Sequence, residues 1–230
     1  MAARATKDLD LALVGDEPAD SALDVQDLLF DHLASRPTDD AFAFEVQRPS
    51  PISADTLGNP GWRVTVVATV GGSHFESLKL DVVARPDEIV GGIEKLVLDP
   101  LLPGIAGHDQ VVVPAVDVHQ HAAEKLHAYS RIYAHGRPSS RVKDLVDLVL
   151  LVEAGVLDPA RLTVRLLQVY DVRDAARPPV ELPLPPDSWI EPYAATAAEL
   201  GIAASTAEQA WSVVEAEYRR IIPLIDGEPT

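Results

Sequence analysis

Two long β-prone runs joined by a pair of glycines constrain this chain more than any other feature. Trp62 to Val70 is dense in Val and Thr, His74 to Val83 runs back, and Gly71-Gly72-Ser73 lies between them. β-branched side chains favour a pleated surface, and a Gly-Gly pair suits a tight hairpin turn. The first half of the chain is therefore committed to a sheet. In the returning strand Leu78, Leu80 and Val82 share one face, with Lys79, Asp81 and Val83 on the other. Asp81 is an acid inside the apolar run Leu80-Asp81-Val82-Val83. A carboxylate in such a run needs a partner or a metal ion, unless the position is a solvated edge.

A second acidic feature opens the chain. In Asp8-Leu9-Asp10-Leu11 the acids alternate with leucines, so as a strand to about Val14 it places both carboxylates on one face. Neighbouring carboxylates repel unless a cation lies between them. A hard divalent cation such as Mg²⁺ takes carboxylate oxygens and shares them with substrate phosphates. The pair thus points to phosphoryl or nucleotidyl transfer; the plain alternative is a solvated strand edge.

The remaining elements follow from periodicity and punctuation. Residues 21–35 read as a helix with Val25, Leu28, Leu29 and Leu33 on one face, and Ala41 to Gln47 as a short strand. Pro86 to Gly107 is rich in Pro and Gly and reads as irregular, ahead of a short strand at Val111–Val113. Beyond Pro114 the pattern becomes helical: His119 to about Ala134, Arg141 to Glu153 with Gly155 as its stop, and Asp158 to about Arg173. Pro178 to Pro186 holds five prolines and must be extended. A last helix starts at the capping-box pattern Ser205-Thr-Ala-Glu208 and ends near Pro223. The expected layout is an α/β sheet part over residues 1–115 and a helical part over 116–230.

Composition narrows the function classes. The formal net charge of −17 argues against nucleic-acid binding by the whole surface. One segment runs the other way: between His119 and Lys143 lie Lys125, Arg131, Arg137, Arg141 and Lys143 against the single acid Glu124. No run of about 18 apolar residues is present, so no membrane span is expected. The absence of cysteine and of an apolar leader fits a cytoplasmic protein.

Within the basic segment, His121, Lys125 and Ala128 fall on one helical stripe, and Asp144 and Asp147 share a face of the next helix. A lysine near phosphates acts as a compact positive charge. An aspartate can orient that lysine, bind metal or take a proton from an attacking hydroxyl. His119 and His121 face apart on a helix, which disfavours a metal pair. Trp62, Trp189 and Trp211 lie in apolar contexts and read as packing residues.

The motifs in order are R-x-T-K-D-L-D-L from Arg4, L-K-L-D-V ending at Val82, H-A-A-E-K-L-H-A-Y from His121, R-V-K-D-L-V-D-L from Arg141, and Trp189-Ile-Glu-Pro-Tyr193. The set resembles the AbiEii family of nucleotidyltransferase toxins, the toxin half of type IV-like toxin–antitoxin pairs, over nearly the whole chain. The resemblance implies a DNA polymerase β-like nucleotidyltransferase sheet followed by a helical C-terminal part. It implies that Asp8 and Asp10 bind Mg²⁺ or Mn²⁺, with Asp81 as the third strand carboxylate. It further implies that Lys125 contacts nucleotide phosphates and that Asp144 is needed for activity. Arg4, Thr6, Arg131, Arg137 and Arg141 are then candidate nucleotide or RNA contacts. The implied reaction moves a nucleotide from an NTP to RNA, typically the tRNA acceptor end, and stops translation; a cognate antitoxin is the implied partner.

The family pattern also places a glycine turn ten or more residues ahead of the D-x-D, where backbone N–H groups cradle phosphates. No glycine precedes Asp8 here. The expectation is a chain truncated relative to the family, or one that has lost that element. Two other readings stay open: a catalytically inactive relative that binds a partner or nucleotide, and a small-molecule nucleotidyltransferase.

Overall fold

The computed structural model describes residues 8–13, 20–34, 41–52, 60–84, 93–99, 110–131 and 141–226. These fall into two compact units, one within residues 4–89 and one within 90–230. The composition change near Pro114 lies inside the second unit, because a pair of strands precedes its helices.

The first unit is built on the expected hairpin. Strands β4 (Gly61–Val70) and β5 (Ser73–Ala84) pair antiparallel across Gly71 and Gly72, whose φ values of 56° and 81° satisfy a two-residue turn. Strand β1 (Asp8–Leu13) lies parallel to β5, while β2 (Phe42–Val46) and β3 (Ser50–Ile52) pair with different stretches of β4. The strand order is β1-β5-β4-β2. Alternation sorts the faces as anticipated. Val64, Val66, Leu80 and Val82 are buried with Val46, and Leu11, Leu13, Phe44 and Trp62 pack around them. Helix α1 (Ala22–Ala34) contributes Val25, Leu29 and Leu33 to this core. Its start is held by a reciprocal cap, in which Asp24 N–H donates to Ser21 Oγ and Ser21 N–H to Asp24 Oδ2. Leu78 departs from the expected face pattern: it is exposed, beyond the reach of the core.

The second unit opens with β6 (Ile93–Leu98) antiparallel to β7 (Val111–Val116). The segment read as irregular therefore holds a strand, and the short strand at 111–113 extends through Pro114. A proline without an N–H is tolerated in a two-stranded ribbon, where every strand has an open edge. The helices are α2 (Val118–Ser130), α3 (Val142–Glu153), α4 (Pro159–Asp174), α5 (Ile190–Leu200) and α6 (Ala207–Asp226). Their shared core includes Leu145, Val149, Leu162, Leu166, Tyr193, Tyr218 and Ile221. Helix α2 presents Ala122 and Ala123 to it, and these small side chains let its neighbours approach closely. Helix α5 is not signalled by its sequence, since Pro192 falls in its first turn, a position that tolerates proline. The cap of α6 is shifted one residue from the expected pair: Thr206 Oγ1 accepts from Gln209 N–H, and Gln209 Oε1 accepts from Ser205 and Thr206 N–H.

The proline segment is extended and is held by side chains reaching its carbonyls. Tyr129 donates to Pro183 O at 2.6 Å and Tyr218 to Pro179 O at 2.5 Å. Buried hydroxyls thus satisfy backbone that has no ladder of its own. Among the described residues no helix is long and apolar enough to cross a membrane.

Asp117 fixes where α2 begins. Its Oδ1 accepts from His119 N–H at 3.0 Å and from the His119 ring at 2.7 Å, and its Oδ2 from Arg161 and Arg165. The other ring nitrogen of His119 accepts Asp158 N–H at 2.9 Å. Asp158 in turn caps α4 through Arg161 N–H. His119 is therefore a structural residue between two helix starts, and the metal-pair reading with His121 falls. Burial pushes the Asp117 carboxyl pKa up, but the His119 bonds and the Arg161 charge outweigh it and hold it at about 2. A depressed carboxylate stabilises the fold above its unfolded pKa and loses that contribution as pH falls through the folded value. Asp117→Asn should lower stability in urea unfolding by roughly 2–4 kcal/mol at neutral pH. The gap from wild type should close as pH drops from about 4 towards about 2; a gap constant with pH would refute this assignment.

Candidate active site

The residues singled out from the sequence form two clusters, one in each unit. In the sheet, the parallel register sets Asp10 directly beside Asp81, and Asp8 beside Lys79. Hydrogen-bonded strands lie about 4.8 Å apart, so Asp10 and Asp81 are immediate neighbours. Asp10 is exposed, and Asp81 is mostly covered. On its other side Asp81 faces Arg63 of β4, which was not anticipated. The guanidinium grips both oxygens: Nε donates to Oδ1 at 2.7 Å and Nη2 to Oδ2 at 2.6 Å. The Arg63 hydrogen bonds hold the Asp81 carboxyl below its usual pKa, against the opposing pull of partial burial. The need for a partner inferred from the sequence is met by Arg63.

These carboxylates suit a hard cation. All donors are oxygens, and Asp10 and Asp81 are held side by side by the ladder, as Mg²⁺ or Mn²⁺ bound jointly with phosphate requires. Among the described residues no three acidic or histidine side chains converge on one point. The side chain of Asp8 lies outside the described residues, as do Arg4, Thr6 and Arg137 entirely.

The second cluster joins α2 and α3. Lys125 is largely buried, and its Nζ donates to Asp147 Oδ2 at 2.7 Å and Asp144 Oδ1 at 3.4 Å. Leu145, Val146, Leu148 and Val149 turn into the core and leave Asp144 and Asp147 on the flank that meets α2. Arg141, at the start of α3, places Nη1 3.6 Å from Asp144 Oδ2. That oxygen is buried and has no hydrogen-bond partner among the described residues. A buried unsatisfied carboxylate oxygen is costly, and its presence marks a place where a donor is wanted. His121 lies one helical turn before Lys125. Desolvation, followed by the Lys125 charge, lowers its pKa, partly offset by Glu124, Asp147 and Asp144.

Two cations of the basic segment, Lys125 and Arg141, are thus balanced by the two aspartates of α3. Glu124, the segment's single acid, is bound to Arg173 at 3.4 Å. Asp147 is the nearest partner of Lys125, a rank its spacing from Asp144 alone does not reveal.

The described residues thus hold one acidic pair on the sheet and one lysine set between aspartates on the helices. The family model for nucleotidyl transferase AbiEii toxins of type IV toxin–antitoxin systems matches residues 1–228, and the chain belongs to that family. Membership implies an antitoxin partner. Among solved structures the chain is similar to MenT4, nucleotidyltransferase toxin Rv2826c from Mycobacterium tuberculosis H37Rv. The identity is 20% over 95% of this chain and 68% of that one, with a TM-score of 0.46. That likeness is distant, and the assignment rests on the family match. No curated protein matches the chain.

The Lys125–Asp147 contact should be energetically coupled. A double-mutant cycle with Lys125→Met and Asp147→Asn in urea unfolding should give a coupling of roughly 1–3 kcal/mol. A value near zero would mean that the two groups do not depend on each other.

Proposed function

We propose that this protein is a Mg²⁺- or Mn²⁺-dependent nucleotidyltransferase toxin of the cytoplasm. In this reading it moves a nucleoside monophosphate from an NTP to RNA, at the tRNA acceptor end, and thereby blocks translation. The observation that carries the proposal is the register of β1 on β5, which sets Asp10 and Asp81 together on the sheet of a nucleotidyltransferase family member.

The reaction joins a ribose 3′-oxygen to the α-phosphorus of the NTP, releases pyrophosphate and frees the hydroxyl proton. A divalent cation held by Asp8, Asp10 and Asp81 would neutralise the triphosphate and activate the attacking hydroxyl. Lys125 supplies a compact positive charge for the nucleotide phosphates. In the present arrangement Asp144 and Asp147 hold that ammonium in one place, so it is oriented before a nucleotide arrives. Arg141, more exposed than Lys125, is a further phosphate contact. The strongly negative net charge restricts RNA contact to such local groups.

Purified protein incubated with tRNA, Mg²⁺ and each radiolabelled NTP should label the tRNA with at least one of them. Asp10→Ala and Lys125→Ala should each cut incorporation by roughly a hundredfold or more. Labelling by Asp10→Ala at the wild-type rate would refute the assignment of the strand acids. Absence of labelling with every NTP would favour the inactive-relative reading.

A further inference from the structure

We propose that Arg63 competes with the divalent cation for Asp81, so that the strength of the Arg63–Asp81 pair sets the metal affinity of the strand carboxylates. The proposal rests on the reading of Asp10 and Asp81 as metal ligands and adds a residue that this reading does not contain.

The sheet order makes the competition a matter of geometry. β5 lies between β1 and β4, so Asp81 has Asp10 on one side and Arg63 on the other. Two neighbouring carboxylates need positive charge between or beside them. Arg63 supplies it from the β4 side, with both oxygens of Asp81 engaged in a planar, two-bond fork. A cation approaching from the Asp10 side binds an oxygen that already accepts from Arg63 and bears the repulsion of the guanidinium in contact with it. Arg63 is half exposed, so its side chain has room to swing into solvent when it releases Asp81. In the metal-free protein the fork keeps Asp81 fixed beside Asp10. Arg63 is thus a positioning residue that also limits how tightly the cation binds.

Lys79 allows the fork to be separated from the general electric field. It belongs to the same strand as Asp81, two residues away on the same alternating set, and it is exposed. It stands beside Asp8 and not beside Asp81, so removing its charge changes the field at the strand acids without touching the fork.

Mn²⁺ binding to the full chain, read from the free-ion signal in electron paramagnetic resonance, tests the proposal without reference to catalysis. Arg63→Gln should lower the Mn²⁺ Kd by roughly three- to tenfold, since it removes a charge-assisted pair from the ligand. Lys79→Gln, which removes a charge beside Asp8 and leaves the fork intact, should lower it clearly less than Arg63→Gln does, and Arg63→Lys, which keeps the charge but not the fork, should fall between. Asp10→Asn should weaken binding in either background. Circular dichroism melting without metal confirms that each variant is folded. An unchanged or raised Kd in Arg63→Gln, or an equal gain in Lys79→Gln, would overturn the role of Arg63. If Asp10→Asn still weakens binding, the metal reading survives that result. Binding indifferent to Asp10, or no binding at all, would overturn both.

Discussion

The parallel pairing of β1 with β5 is the contact on which the placement of the strand carboxylates depends. Six consecutive residues of β1 lie in register with six of β5, and this places Asp10 at Asp81. A slip of one residue would exchange faces: Leu11 and Leu13 would leave the core formed with Leu80 and Val82, and Asp10 would enter it. Burying that carboxylate and exposing two leucines would each cost free energy. The apolar half of the alternation thus fixes the register, and the acidic half inherits its position. Packing against α1 and placement of the carboxylates are two consequences of one pattern.

The helical unit achieves its polar cluster by a different route. Here a 3.6-residue period turns Leu145, Leu148 and Val149 inward and carries Asp144 and Asp147 to the flank. Lys125 reaches them because Ala122, Ala123 and Leu126 draw α2 into the same core. A lysine this well covered keeps its place through two acidic partners, and a buried pair is costly to break from one side only. Among the described residues, the buried Oδ2 of Asp144 has no hydrogen-bond donor. Its exposed neighbour Arg141 lies just beyond hydrogen-bond distance.

Much of this was legible in the sequence, and what was not has definite causes. The Gly71-Gly72 hairpin, the facing of Leu80 and Val82, and the helices carrying Lys125 and Asp144 follow from local pattern. Arg63 was missed because counting back from the turn without interruption sets Trp62 opposite Asp81. A β-bulge at Ala68/Thr69 shifts the register by one and brings Arg63 there instead. Strand β6 was hidden by its Gly- and Pro-rich surroundings, and its pairing with β7 is a non-local contact that no short window reveals. The closeness of Lys125 to Asp147 was not legible because the two lie 22 residues apart on different helices. His119 likewise gave no sign of the Asp158 N–H that occupies its ring.

The proposed function divides the labour: strand acids would serve a cation and a helical lysine the nucleotide. Calorimetric titration of a non-hydrolysable NTP with and without Mg²⁺ tests it most directly. In the wild type, Mg²⁺ should tighten nucleotide binding; Asp10→Asn should abolish that gain while leaving metal-free binding intact, and Lys125→Ala should weaken binding under both conditions. Retention of the full Mg²⁺ effect in Asp10→Asn, or wild-type affinity in Lys125→Ala, would contradict the account.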